Sequence, residues 1–140
     1  MTYLAAYIAA LFVFGILDAV WLSMVGAALY RPVLGDMLAP SIRIGPAVAF
    51  YLAFPIGITY FATIPALKAD APMLALVSGA LFGALAYATY DLTNHAVLRN
   101  WSLQITLVDI AYGAAASGAT AVAAYFAIRA MSGWLGLGDV

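Results

Sequence analysis

Polar and apolar positions along the chain fall into long blocks. Apolar runs cover about residues 2–25, 44–64, 73–95 and 103–130, and short polar stretches between them hold most of the charge. Runs of this length suit helices that cross a bilayer, each of which needs about 20 residues. The pattern predicts an all-α fold, an integral membrane four-helix bundle, with residues 1–140 as a single transmembrane domain.

The first run resembles a signal peptide only superficially. Val25-Gly26-Ala27 is a faint small-residue cleavage pattern, but no Lys or Arg precedes Arg31 and the run is about 24 residues long. A signal peptide has a positive start and a shorter apolar core, so this segment is expected to stay and span. Gly15, Asp18, Leu22 and Gly26 share one helical face, where small residues would admit a neighbouring helix. Residues 27–43 form a first loop with Arg31, two prolines and Gly35, expected to lie along the interface. The second run carries Pro46, plausible in a first helical turn, and Pro55, expected to kink the span. The third carries Gly79, Gly83, Tyr87 and Asp91 at steps of four, the fourth Asp109, Gly113 and Ser117 at the same step. Both are small-residue stripes that fit close helix packing, within one chain or between copies in a homo-oligomer. The tail, with Trp134 and Asp139, is expected to fray.

Composition strengthens this picture. Apolar residues make up 67% of the chain and charged residues 8%, and the mean hydropathy is +1.06. Soluble domains carry about 25% charged residues, so the solvent is a lipid bilayer. A net charge of −1 with no basic block argues against nucleic acid. The lack of cysteine excludes disulfides and thiolate chemistry.

Three aspartates interrupt the apolar runs: Asp18, Asp91 and Asp109. An intramembrane Asp costs about 2.5–3.5 kcal/mol at mid-helix on insertion scales, so each is expected to face the bundle interior with a partner or a proton. With four spans, the first and third loops share a side, and all three aspartates fall roughly 5–10 Å inside the apolar slab near it, by helix rise. Tyr87, Asn94 and His95 join Asp91 on the third span, Trp21 lies near Asp18, and Tyr112 follows Asp109 by one turn. Arg31 and Arg99 flank the layer as candidate charge partners. Unpaired carboxylates so close would repel by about 4 kcal/mol at 4 Å, even at an effective dielectric of 20. The layer Asp18, Trp21, Tyr87, Asp91, Asn94, His95, Asp109 and Tyr112 is therefore the candidate ligand-binding site. A plainer alternative stands beside it: Asp91 with Asn94 as a polar clamp between helices, worth about 1–2 kcal/mol, and Trp21, Trp101 and Tyr112 as interfacial or packing aromatics.

Arg31, Arg43 and Arg99 on the layer's side outnumber Lys68 and Arg129 on the other. By the positive-inside rule this places the first and third loops in the cytoplasm and the termini outside.

Several stretches together resemble a known family: Asp18-Ala19-Val20-Trp21-Leu22, Tyr30 followed by Leu34-Gly35, Tyr90-Asp91-Leu92-Thr93-Asn94, Trp101, and Asp109-Ile110-Ala111-Tyr112-Gly113. The chain resembles the bacterial DUF2177 predicted membrane proteins over nearly its whole length. Tyr112 stands where the resemblance leads one to expect tryptophan. The resemblance implies a four-span protein of the bacterial inner membrane and supplies no activity or cofactor.

The sequence leaves four readings open. The first is binding or movement of a lipid or other amphipathic small molecule, its polar head at the aspartate layer. The second is a lipid-modifying membrane enzyme using an Asp as acid or base, although glutamate, a second histidine and nucleotide motifs are missing. The third is cation or proton transport, for which Thr59, Ser78 and Ser117 are the polar residues counted on the far half of the later spans. The fourth is an assembly subunit of a membrane complex. No metal site is assigned, although under the third reading the three aspartates with His95 could bind a divalent cation through oxygen ligands.

Overall fold

The computed structural model describes residues 1–135, apart from the side chains of Ala27, Asp36 and residues 133–135. Asp139 and the side chain of Trp134 thus lie outside the described residues. Helices account for nearly all of the remainder. Helix α1 spans Thr2–Val25, continues through a π-helical turn at Gly26–Tyr30 into α2 (Arg31–Leu34), and ends in a 3-10 turn at Gly35–Met37. Helix α3 (Ile44–Ile58) runs through a second π turn (Thr59–Thr63) into α4 (Ile64–Lys68), followed by α5 (Pro72–Val97) and α6 (Leu103–Leu135). Four helical stretches are long and apolar enough to cross a membrane: Thr2–Val25, Ile44–Lys68, Pro72–Val97 and Leu103–Ser132.

Helix α6 is the central element. Its run Gly113-Ala114-Ala115-Ala116-Ser117-Gly118 offers little side-chain bulk, so neighbours approach its backbone closely. Helix α5 packs along it as an antiparallel hairpin, and α1 lies against α6 as well. A Cβ added at Gly79 would sit 2.8 Å from the Cβ of Ala121, and one at Gly83 would overlap the Gly113 carbonyl and Ser117. The α5 and α6 stripes are therefore used inside the chain rather than between copies.

Helix α1 corrects an expectation. Its buried face is Ala6, Ala10, Phe14 and Asp18, at steps of four. A Cβ at Gly15 or Gly26 would meet open space, so these glycines make no close helix contact. Large apolar side chains point outward instead, as lipid requires: Phe12 is 66% and Ile16 64% exposed.

The first connection is also more ordered than its prolines suggest. Pro32 falls in the first turn of α2, and the fixed φ of proline suits the helical winding there. The chain therefore stays helical until Gly35, whose φ of +38° ends the winding. Leu34 then packs with Trp101 and Ile105, tying this extension to the α5–α6 connection. Helix α3 begins loosely: from Ser41 to Phe50 every residue except Ala47 is exposed, and full burial starts at Pro55.

Candidate functional site

Buried polar side chains need partners, and lipid supplies none. In this fold tyrosines supply them. Asp18, 6% exposed, accepts a hydrogen bond at Oδ2 from the Tyr51 hydroxyl on α3. It accepts another at Oδ1, 3.2 Å long, from Tyr112 on α6. Asp109, equally buried, accepts at Oδ1 from Tyr30 in the π turn after α1. Trp21 links the two groups: its indole Nε1 donates to the Tyr30 hydroxyl at 3.2 Å. Its ring also stacks on Tyr112 with centroids 4.0 Å apart and planes 8° from parallel. Burial, then the neighbouring Asp109 carboxylate, pushes the Tyr30 phenol well above its ordinary pKa. Tyr30 therefore acts as a neutral donor at physiological pH.

Asp18, Trp21, Tyr30 and Asp109 of this network line a cavity of about 550 Å³ at the end of the bundle where the first and third connections meet. Asp18, Trp21 and Leu22 of α1 form one wall, and Tyr30, Leu34 and Leu38 form a cover. Phe50 and Phe54 of α3 close the side where that helix is loosely packed, opposite Ala86, Tyr87 and Tyr90 of α5, with Trp101 and Asp109 completing the lining. Trp101 is held by its own small network. Its Nε1 donates to Thr106 Oγ1 at 3.1 Å, and that hydroxyl lies 3.2 Å from His95 Nδ1.

The fold thus brings together Asp18, Trp21, Tyr87 and Asp109 of the residues expected from sequence, with Tyr112 behind them as a hydrogen-bond and stacking partner. It leaves others out. Asp91 is fully buried, and neither of its oxygens has a hydrogen-bond partner among the described residues. It sits on α5 one turn beyond Tyr87, beside the cavity rather than in its wall. Asn94 is half-buried and lines no part of it, and exposed His95 serves Trp101 through Thr106. Arg31 borders a separate, shallow surface depression with Arg43. Among the described residues no ion pair joins Arg31 or Arg99 to an aspartate; the one salt bridge is Arg129–Asp70 at 2.7 Å, at the opposite end of the bundle. Tyrosine hydroxyls thus stand where the sequence suggests arginines. No three His or Asp side chains among the described residues converge closely enough to hold a metal ion. Of the far-half hydroxyls, Thr59 and Ser117 are buried and unpartnered, and Thr63 and Thr120 join them.

Sequence reasoning misses Tyr51 and gives Tyr30, Phe50 and Phe54 no site role. One signal for the tyrosines exists: a phenol within an apolar run must find an acceptor when buried, and the aspartates are the acidic acceptors at that depth.

Fold and cavity together define a multi-pass α-helical membrane protein with an acidic, aromatic-walled cavity near one membrane face. The family described as "Predicted membrane protein (DUF2177)" matches residues 3–126, and the chain belongs to it. That match includes every residue lining the cavity. No curated protein matches the chain, and no solved structure does.

Proposed function

We propose that this protein binds a lipid or other small amphipathic molecule in the cavity between its four spans, with the ligand's polar head at Asp18 and Asp109. The cavity itself carries this reading. Its volume of about 550 Å³ lies within the roughly 300–1,000 Å³ of ordinary ligand sites, which pair apolar walls with a few placed polar groups. Its looser side, at Phe50 and Phe54, lies next to the exposed first turns of α3, a natural entry for a molecule arriving from the bilayer.

The same reading takes the chain as one transmembrane domain of a bacterial inner membrane. Arg31, Arg43 and Arg99 near the cavity end, against Lys68 and Arg129 at the other, favour a cytoplasmic cavity mouth. Accessibility labelling of single cysteines placed at positions 41 and 70 tests this orientation, since the native chain has no cysteine.

Native mass spectrometry of protein extracted gently from its own membrane tests the binding. The expected result is a discrete adduct that is lost in Asp109→Asn and retained in Asp70→Asn. Protein free of adducts, or adducts unchanged by Asp109→Asn, would overturn the proposal.

A further inference from the structure

The chemistry of the cavity wall narrows its ligand. Two carboxyl groups, Asp18 and Asp109, face an aromatic set that includes Trp21, Tyr87, Tyr90 and Trp101, and no Lys, Arg or His lines the space. A third carboxyl, Asp91, lies buried close by, without a hydrogen-bond partner among the described residues. No basic side chain among the described residues makes an ion pair with any of the three aspartates. Carboxylates near aromatic rings favour cations, because the ring quadrupole and the acid attract the same charge. An anionic head would meet carboxyl groups and no donor from a basic residue.

We infer that the ligand is a lipophilic cation: an amphiphile whose head is an amine or quaternary ammonium and whose tail lies along the apolar walls. This rests on the reading of the cavity as a ligand site and adds the sign of the head. The ammonium sits between the aspartates and the aromatic rings, where it supplies the positive charge the layer lacks. The tail leaves past Phe50 and Phe54 towards the bilayer. Such a head belongs either to a free lipophilic amine or to an ammonium-headed lipid.

The test uses the full-length protein in maltoside micelles with Trp134→Phe, so that Trp21 and Trp101 are the remaining tryptophans. Quenching of their fluorescence is titrated with dodecyltrimethylammonium, dodecanol and dodecanoate, which share a tail and differ in the charge of the head. The cation is expected to bind more tightly than dodecanol by about tenfold or more, the scale of a desolvated cation–π contact. Asp18→Asn and Asp109→Asn should each reduce that preference, while Asp70→Asn keeps it. If dodecanol or dodecanoate binds as tightly as the cation to the unaltered cavity, the inference fails while the ligand-site reading stands. If no probe saturates, the ligand-site reading itself fails. The ranking in the parent protein decides the matter even where an aspartate variant does not fold. Displacement by dodecylphosphocholine would identify a lipid headgroup as the source of the cation, and lack of displacement a free amine; either result upholds the inference.

Discussion

Tyr30 donates its phenolic hydrogen to Asp109, a residue 79 positions further along the chain. This contact pins the extension after α1 onto the start of α6 and forms part of the cavity wall. It also gives one oxygen of a carboxyl group 6% exposed a donor that the bilayer cannot provide.

Tyr30→Phe should therefore destabilise the protein by about 1–3 kcal/mol, the cost of leaving a buried acceptor unsatisfied. Thermal unfolding in detergent, followed by circular dichroism, would show the loss. Combining it with Asp109→Asn should give less than the sum of the single effects, with a coupling of about 0.5 kcal/mol or more. Strict additivity would mean the two side chains do not interact.

The glycines separate into two kinds. Gly83→Val should prevent stable folding, because even a Cβ there overlaps the Gly113 carbonyl and Ser117. Gly15→Ala meets open space and should be neutral or stabilising by about 0.5–1 kcal/mol through reduced backbone entropy. Yields of monodisperse protein on gel filtration should divide the two variants accordingly.

Asp91 is fully buried with both oxygens unpartnered. Removing an unsatisfied polar group costs little and can stabilise, whereas removing one member of a satisfied pair costs about 1–3 kcal/mol. Asp91→Ala should accordingly keep or raise the melting temperature, and the protein should still quench on titration with a cavity ligand. A fall of many degrees would reveal a partner for Asp91 in the membrane-embedded protein.

The opposite end of the bundle should be more tolerant. Asp70 meets Arg129 at 2.7 Å, with the side chains 65% and 52% exposed, and it accepts a hydrogen bond from Tyr125 at 2.8 Å. Exposed ion pairs contribute about 0–1 kcal/mol. Arg129→Ala should therefore lower stability by no more than about 1 kcal/mol, with the difference shrinking as salt rises. Paired melting curves at low and high ionic strength would check both points.

Thr106 bridges Trp101 and His95. Thr106→Val keeps the shape but removes the acceptor for the indole. The Trp101 emission should shift as its ring leaves the wall, and the apparent affinity of a cavity ligand should drop with it. Asn94→Ala, away from the cavity, should leave both unchanged.

The four apolar helices, the shared level of Asp18 and Asp109 at one cavity, and the close seam of Gly79 and Gly83 against α6 were all legible in the order of residues. Each is a one-dimensional property. A helix advances about 1.5 Å per residue and repeats every 3.6 residues, so depth and shared face follow from spacing. The partners of the carboxyl groups were not legible. They depend on how each helix is rotated about its own axis, and one residue of phase turns a side chain by about 100°. The π turn at Gly26–Tyr30 changes that phase, and Tyr30 at its end reaches Asp109. Tyr51 meets Asp18 only because α3 crosses α1 where it does. Rotation likewise sets Asp91 beside the cavity, although spacing alone puts it on the same stripe as Tyr87. Packing between distant segments decides these angles, and it is in turn governed by which faces fit closely once lipid has removed water as an alternative partner.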